Sequence, residues 1–544
     1  MATLLRNVYG LLSADEETHK GPSRCSTAIR KARDNLNSLN ESPRDLWVAF
    51  LLKFCDSYGY FSVSQVLVLY LHQEFGISDL EAGAAYGAWG VAITGWGLLM
   101  SVLNDYMGVR NALLVGFATS SLSYILLANA RSKSFVFFCL FCILPLGNSL
   151  GIPMISIGIK RFTTPTNRGF AFGIFYSFMN LAAFISGPII DAITRSVGFD
   201  PSLDSVPLFG VGRYSANRCV ILTAAFSSFC SFFVTLLLLR DVKVDASGRE
   251  QTRAQIEEEQ QQRAAETCDE RWAKLLQLLR SATFWRFSLF TLLLINLNAV
   301  FRHLDATFPT YLVRTYGSLG ENNKGLLYSI NPLLIILLVP LVAAATTSYA
   351  HFDMIKWGGY VTALAPFSLA LASSIPACIG MVVLLSLGEA IWSPRTYDYT
   401  YSIAPNGQEA SFAALAAAPL FAAKIPVGLL SGYLLNTYCP EGGPNRGQVM
   451  WLIIGLVTLT SPILVTLLEK VIREPMIPPS QAPPSLTRPE DEEGEDEEGH
   501  KSVEVVTFSP LALNDQGSER GDGSSSSTHS PGLDARSTHS LLAP

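Results

Sequence analysis

Charged side chains inside long apolar runs are the residues of this sequence best placed to do chemistry. Glu389 and Lys424 each lie near the middle of such a run, and Lys53 and Asp56 lie together in another. An ionisable group in hydrocarbon costs at least a few kcal/mol, so it usually faces a cavity or a partner. We therefore expect Glu389 to bind a cationic group of a solute, and Lys53 and Lys424 to bind anionic groups.

The same charges also have a structural interpretation, which is neutralisation within the protein or snorkelling towards the membrane surface. Lys53 and Asp56 are three residues apart, so they share a helix face and could neutralise each other. An ion pair between Glu389 and Lys424 at the membrane midplane is also expected. Sequence alone leaves both interpretations open.

A further charged cluster, Arg302, His303 and Asp305, lies about two thirds of the way along another apolar run. Arg302 is a candidate to bind an anionic group of the solute. A histidine changes its charge near neutral pH more readily than the other side chains do. Proton coupling is therefore expected at His303, Asp305 or Asp56.

Residues for covalent catalysis or metal binding are not grouped in this sequence. The nine cysteines are scattered, and the close pair Cys139 and Cys142 lies inside an apolar run, where a packing role is expected. The seven histidines form no HExxH-like grouping. We expect no metal, no cofactor and no enzymatic activity.

These residues must be positioned by helices that cross a membrane. Asp, Glu, Lys and Arg make up only 15% of the 544 residues, against about 25% in an average soluble protein. Apolar segments recur that are long enough to cross a hydrocarbon core of roughly 30 Å. Twelve spans are predicted, at about Leu46–Leu71, Leu80–Leu103, Ala112–Ala130, Ser134–Ile159, Gly169–Ile190, Cys219–Leu239, Phe284–Leu312, Gly325–Thr347, Met354–Ser374, Ile375–Ile403, Ser411–Tyr438 and Gln448–Leu468. The expected fold is an all-α polytopic membrane protein.

Basic residues beside the spans predict the orientation. Lys160, Arg161 and Arg168 lie in the fourth loop and a basic run from Lys243 to Arg280 lies in the sixth, whereas the other side is sparser. Because lysine and arginine concentrate on the cytosolic side, both termini are predicted to face the cytosol. These residues do not form one patch with exposed aromatic residues, so nucleic acid is not an expected partner.

A polar interval divides the spans into two groups of six. The predicted regions are a cytosolic N-terminal tail (1–45), an N-terminal six-helix bundle (46–240), a cytosolic linker (241–283), a C-terminal six-helix bundle (284–470) and a C-terminal tail (471–544). Trp272, Leu275 and Leu276 recur at helical spacing, which predicts an amphipathic helix in the linker. The acidic, serine-rich tail is predicted to be disordered, with cytosolic partners or phosphorylation as its candidate roles.

Asp105, Gly108 and Arg110 form a charged turn between the second and third spans. Such a charge pair can tie neighbouring helices together in one conformation and release them in another. The spacing resembles the loop signature of the major facilitator superfamily, G-x-x-x-D-x-x-G-x-R in outline. This resemblance implies two six-helix bundles that rock about a midplane site, with these three residues in the gate.

Three more motifs resemble the proton-dependent oligopeptide transporter family, a branch of that superfamily. The motifs are Phe175-Tyr176-Ser177-Phe178-Met179-Asn180, like the fifth-helix F-Y-x-x-I-N, Asn331-Pro332-Leu333, like the eighth-helix N-P-L, and Gly388-Glu389 followed by Ser393-Pro394, like the tenth-helix G-E-x-x-x-S-P. In that family the tenth-helix glutamate faces the amino group of the substrate, so the resemblance implies this role for Glu389. It also places Tyr176 and Asn331 near the cavity.

The first helix departs from the pattern of that family. Phe50, Lys53 and Phe54 stand where the family carries the charged residues of its E-x-x-E-R motif. Ile152 precedes Pro153 where the family usually has a lysine. The charges that the family uses for proton coupling and carboxylate binding are therefore replaced.

The sequence predicts a secondary active or facilitative transporter that carries a small polar organic solute across the lipid bilayer by alternating access. The family resemblance implies proton-coupled symport of peptides or amino-acid-like solutes. The substitution of Lys53 favours an alternative, which is an amino-acid or organic-anion uniporter or exchanger without proton coupling. A third hypothesis is a transporter-like receptor, which binds its ligand without carrying it across the membrane.

Overall fold

The computed structural model describes residues 39, 42–164, 167–197, 214–245, 248–251, 255, 280–346, 349–403 and 423–473. Within these ranges, nothing is described of the side chains of residues 98, 101–106, 152, 344, 397–398 and 401–402. Most of the predicted tails, most of the predicted linker and the first part of the predicted eleventh span lie outside the described residues. The domain boundaries that depend on them stay predictions.

The described secondary structure is helical, apart from one isolated β-bridge between Val244 and Glu250. The first half of the chain contains α1 (Arg44–Phe75), a helical run Asp79–Ala128, α4 (Lys133–Arg161), α5 (Arg168–Val197) and α6 (Ala216–Leu238). Gly108, at φ 73° and ψ 172°, breaks the run into α2 (79–107) and α3 (109–128). Only glycine adopts this positive φ at little cost, so the predicted turn between the second and third spans is confirmed.

The second half of the chain contains α7 in three segments (Ala282–Leu293, Ile295–Ala306 and Phe308–Tyr316), α8 (Lys324–Ala345), α9 (His351–Leu364, followed by Phe367–Leu371), α10 (Ile375–Ile403), α11 (Lys424–Tyr438), α12 (Gly447–Leu467) and the short α13 (Glu469–Ile472). These helices follow the order of the predicted spans. The continuous seventh span that the sequence predicts is thus interrupted twice.

Side chains from neighbouring helices satisfy the backbone where the spans are irregular. At the first break in α7, Ser461 of α12 donates to the Leu293 carbonyl and accepts from the Leu297 amide. In α4 the turn Cys139–Ile143 is π-helical, and Trp96 Nε1 donates to the Phe141 carbonyl at 3.0 Å. Buried carbonyls and amides need such partners because lipid supplies none.

Several helices begin where the sequence supplies a serine cap. Ser78 and Glu81 form a reciprocal capping box at the start of α2, and Ser132, Ser215 and Ser281 accept backbone N–H bonds at the starts of α4, α6 and α7. A serine oxygen satisfies one of the amides that the first helical turn leaves free. Caps therefore fix these helix starts.

Eight stretches within the described helices are long and apolar enough to cross a membrane. α9 and α11 are shorter, and α1 and α2 mix apolar residues with glycine, serine and tyrosine. Large apolar side chains such as Phe226, Leu237 and Leu371 are exposed on the outer surface, as contact with lipid requires. The predicted all-α polytopic fold is confirmed.

The two ends of the described chain lie on the same side of the bundle. We call this side, which bears Arg44, Gly108 and Arg473, the terminal face, and the other side, which bears Gly76, Asn322 and Glu441, the opposite face. One apolar core lies within the second half of the chain, between residues 287 and 472. Two others are built mainly from the first half.

Candidate functional site

Glu389 lies in the middle of α10 and is held by α8. Asn331 Nδ2 donates to Glu389 Oε2 at 2.9 Å and also to Ser386 Oγ at 3.1 Å. Glu389 is only partly buried, whereas Ser386 is fully buried. Asn331 and Glu389 are therefore in direct contact, and this contact leaves one carboxylate oxygen for another ligand.

A second polar cluster connects α7 with α2. Arg302 Nη1 and the hydroxyl of Tyr86 each donate to Asp305 Oδ2 at 3.1 Å. Arg302 interacts electrostatically with Glu389, and its Nε atom is buried without a hydrogen-bond partner in the described structure. Arg302 thus carries a buried donor without a partner in the described structure, and Asp305 contacts both halves of the molecule.

His303 does not share this cluster, although it is adjacent to Arg302 in sequence. Its Nδ1 atom lies 2.7 Å from Thr307 Oγ1, which in turn donates to Ser431 Oγ of α11. The histidine is 2% exposed. In the structure, His303 therefore points away from Arg302 and Asp305 and packs between α7 and α11.

Lys53 and Asp56 lie on α1, as the sequence predicts. Lys53 Nζ lies 4.8 Å from the centroid of the Phe175 ring of α5, and the two charged side chains interact electrostatically. Asp56 Oδ1 faces Gly151 of α4. Lys53 is thus turned towards α5, and Asp56 towards the interior of the first half.

Lys424 takes a different partner from the predicted one. Its ammonium donates to the hydroxyl of Tyr60 at 2.6 Å, and no ion pair with Glu389 exists in the described structure. The predicted Glu389 and Lys424 pair is wrong for this conformation, because α11 packs its lysine against α1 and α2 rather than against α10.

Tyr176 of α5 reaches across to the other half of the molecule. Its ring packs against Ile335 and Val339 of α8 and Ala390 of α10. Ala390 follows Glu389 in sequence. Tyr176 therefore lies beside the part of α10 that carries Glu389, and its role at a cavity stays a prediction.

The main contacts between the halves are α1 with α7, α2 with α11, and α5 with α8. At the opposite face Arg314 of α7 donates through both Nη atoms to the Asp79 carboxylate of α2, at 2.7 and 2.8 Å. His72 lies between this pair and Glu441, at 3.2 Å from Arg314 Nη2 and 2.7 Å from Glu441 Oε2. Both Arg314 and Asp79 are buried, so this ion pair joins the two halves and closes the opposite face.

Asp191 of α5 forms a second link at the opposite face. Its carboxylate accepts the backbone amides of Gly325 and Leu326, at the start of α8, at 2.8 and 2.7 Å. A carboxylate is favourable at a helix start because the first amides are free and the helix dipole is positive there. A Cβ on Gly187 would collide with the Gly325 carbonyl, so the two backbones are in contact.

Sequence reasoning missed these opposite-face residues, because a charged residue near the end of a span was interpreted only as a topology signal. A usable signal was present. Gly83 and Gly87 in α2, and Gly428 and Gly432 in α11, are each spaced four apart, which is the small-residue pattern of closely packed membrane helices. In the structure the backbones of these glycines touch each other.

The predicted gating turn lies at the terminal face. Arg110 donates to the Leu236 and Leu239 carbonyls at the end of α6, both at 2.9 Å. A cation is favourable at this negative end of a helix dipole. The side chain of Asp105 lies outside the described part of the structure, so its predicted pairing is not addressed.

No group of three or more His, Cys, Asp or Glu residues that could hold a metal ion is found among the described residues. The candidate site described above consists of charged and aromatic side chains from both halves of the molecule.

Comparison with known proteins identifies the family. A family model described as Major Facilitator Superfamily matches residues 49–424, which is more than half of the chain. The chain belongs to the Major Facilitator Superfamily. The expected fold of two six-helix bundles follows from this membership and agrees with the helices described above.

Relatives within the superfamily include peptide permeases. The chain is 22% identical over 171 residues to the dipeptide and tripeptide permease B of Aliivibrio fischeri, a match that covers 31% of this chain and 34% of that protein. The match thus spans about a third of the length of such relatives. It confirms that the sequence resembles the oligopeptide transporter family.

Solved structures share the fold at low identity. A POT family transporter in complex with 5-aminolevulinic acid has a TM-score of 0.61 and 17% identity, covering 79% of this chain and 97% of the other. A nucleoside transporter, NupG, has a TM-score of 0.60 and 12% identity, covering 78% and 99%. Because peptide and nucleoside transporters match equally well, the fold alone does not select a substrate.

Proposed function

We propose that this protein is a secondary transporter that carries a small zwitterionic organic solute across the membrane by alternating access. The observation that supports this most directly is that Glu389 and Arg302, two side chains of opposite charge that interact electrostatically, both have polar groups left for a ligand. One offers a free carboxylate oxygen and the other an unpaired buried donor. A solute with an ammonium group and an anionic group would satisfy both.

Glu389 would bind the ammonium group, with Asn331 fixing the orientation of the carboxylate. Arg302 would bind the anionic group, and Lys53 is the second candidate because it lies beside the Phe175 ring of α5. Tyr176 would cover the solute from the first half. Buried charges that are complementary to the solute offset the desolvation of its own charges.

The conformation described here would be the one open to the cytosol. The closing contacts, Arg314 with Asp79 and Asp191 with the start of α8, lie at the opposite face. The distribution of basic residues predicts that the terminal face is cytosolic. Separation of these contacts, with closure at the Arg110 side, would expose Glu389 to the outside.

Proton coupling would act through Asp305 or Asp56. Asp305 accepts hydrogen bonds from Arg302 of its own half and Tyr86 of the other half, so its protonation would loosen a contact between the halves. His303 is less suited because its ring is enclosed and bonded to Thr307.

The solute class follows from the charge pattern. Dipeptides, tripeptides and 5-aminolevulinic acid, which appear in the descriptions of similar proteins, all carry an amino group and a carboxylate. Amino-acid-like and short peptide solutes are therefore the first candidates here.

The alternative function is exchange of organic anions without proton coupling. The observation that favours it is Lys53, whose ammonium lies 4.8 Å from the centroid of the Phe175 ring. An anion carrier would depend on Lys53 and Arg302 and would tolerate the loss of the Glu389 charge.

The test is uptake into liposomes that contain the purified protein, using labelled amino acids, short peptides and organic acids with and without an inward proton gradient. Glu389→Gln should reduce uptake of a zwitterion about tenfold or more, since it removes a charge-assisted contact. Glu321→Gln, a carboxylate on the opposite face, is the matched control and should retain uptake. Uptake that survives Glu389→Gln but is lost in Lys53→Gln would overturn the zwitterion proposal in favour of the anion carrier.

A further inference from the structure

The ammonium of Lys424 is enclosed by three aromatic rings. Its Nζ atom lies 4.7 Å from the centroid of Trp89, 4.9 Å from Tyr60 and 5.6 Å from Tyr86. Tyr60 stacks on Trp89 at 5.4 Å, and Tyr86 meets Trp89 edge-on at 6.3 Å. We call Tyr60, Tyr86 and Trp89 the aromatic cage.

The cage provides what an ammonium needs in a buried place. Ring faces attract a cation through their quadrupole, and the Tyr60 hydroxyl accepts one N–H at 2.6 Å. Lys424 is 4% exposed, and among the described residues no carboxylate lies within ion-pair distance of it. The rings rather than a counter-ion therefore stabilise this charge.

The cage and its occupant belong to different halves of the molecule. Tyr60 lies on α1, and Tyr86 and Trp89 lie on α2, whereas Lys424 begins α11. Gly90 makes room for the lysine, because a Cβ there would collide with the lysine stem. Gly87 lets the backbones of α2 and α11 approach, since a Cβ there would lie 3.0 Å from the Lys424 carbonyl.

We propose that the aromatic cage is a binding site for an organic ammonium group, which Lys424 fills in this conformation and vacates when α2 and α11 separate. The inference rests on the alternating access proposed above, because the opening of the opposite face is what withdraws the lysine. A primary alkylammonium of similar size then takes its place. The lysine returns as the amine leaves.

The test uses Lys424→Ala in the full chain. This variant keeps Cβ and removes a group equivalent to n-propylammonium, so that amine should refill the cage. Bound ligand stabilises the folded state, and we expect saturating propylammonium to raise the unfolding temperature of the variant by about 2 to 4 °C. The wild type, whose cage is filled, should respond less.

Three controls define the site. The neutral isostere n-propanol should not stabilise Lys424→Ala, and Lys424→Ala with Trp89→Leu should not respond to propylammonium. Lys53→Ala removes another lysine that lies over a ring, but in the described structure only the Phe175 ring is present there, so the amine should not rescue this variant. An equal response to propanol, or an equal response without Trp89, would overturn the proposal.

A variant that does not fold is also informative. Monodisperse Lys424→Ala recovered only when propylammonium is present during purification supports the proposal, while failure in both conditions contradicts it. The binding assay needs no transport. Amine binding without any uptake would therefore support the aromatic cage and refute the proposed function. Uptake without amine binding would support the proposed function and refute the aromatic cage.

Discussion

The hydrogen bond from Asn331 to Glu389 determines how a single carboxylate is presented between the helix bundles. Asn331→Ala should lower the affinity for a zwitterionic solute about tenfold, because it leaves the partly buried carboxylate without its amide donor. Uptake kinetics in liposomes provide the measurement. Asn296→Ala, which removes a half-buried asparagine bonded to Thr460, is the control, and equal effects of the two variants would show that Asn331 has no special role.

A second prediction at the residue scale concerns acid. Lys356 donates to Glu469 at 2.9 Å at the terminal face, and this hydrogen bond, with Arg473 nearby, lowers the pKa of Glu469 below its usual value of 4.5. A carboxyl group whose pKa is lower in the folded than in the unfolded protein stabilises the folded state at a pH above the unfolded pKa. This stabilisation is lost as the pH falls through the folded pKa.

Glu469→Gln should therefore cost roughly 0.5 to 1 kcal/mol at neutral pH, and the difference from wild type should vanish as the pH falls through the lowered pKa of Glu469. Thermal unfolding in detergent across this pH range measures it. Lys356→Met removes the partner instead of the acid and should flatten the same part of the profile. A difference that grows on acidification would contradict the prediction.

At the residue scale, sequence could predict which side chains matter more easily than what they contact. Glu389, Asn331 and Tyr176 were found because each lies in a motif whose helix was correctly assigned. The partner of Lys424 could not be found, because spacing along one helix does not reveal which other helix it meets. His303 shows the same limit, since one helical step turns it away from Arg302.

At the scale of helices, glycines determine how closely α2 and α11 approach. A Cβ on Gly83 would collide with the Gly428 carbonyl, whereas Gly97, in the same helix, has nothing within 4 Å. Gly83→Ala should therefore force the helices apart and lower the unfolding temperature by several degrees, since backbone atoms cannot yield as a flexible side chain can.

Gly97→Ala is the matched control and should be neutral or slightly stabilising, because alanine favours a helix by up to about 1 kcal/mol over glycine. Thermal unfolding of the two variants compares them directly. Equal behaviour would mean that the close crossing of α2 and α11 does not hold the halves together.

The helices themselves were largely predictable because long apolar runs dominate the chain. Their irregularities were not. The break in α7 near Leu294 depends on Ser461, which is more than 160 residues away in the sequence, and the π-helical turn in α4 depends on Trp96 of α2. Gly108 was predictable because a turn with positive φ leaves a local signal.

At the scale of the whole molecule, Arg314 joins the two halves at the opposite face through its bidentate contact with Asp79. Removal of one partner leaves a buried charge unpaired, which typically costs about 3 to 5 kcal/mol. Arg314→Met should therefore shift the population towards conformations that are open at the opposite face. Asp79→Asn combined with Arg314→Met should retain the opening with a smaller loss of stability.

Reciprocal movement of the two faces is the most direct test that the halves rock about a central site. Spin labels at the exposed residues Ser134 and Asn436 would report the opposite face, and labels at Asn111 and Lys470 would report the terminal face. In Arg314→Met we expect the first distance to lengthen and the second to shorten relative to the wild-type background. Two distances that stay constant, or that change in the same direction, would contradict alternating access in this protein.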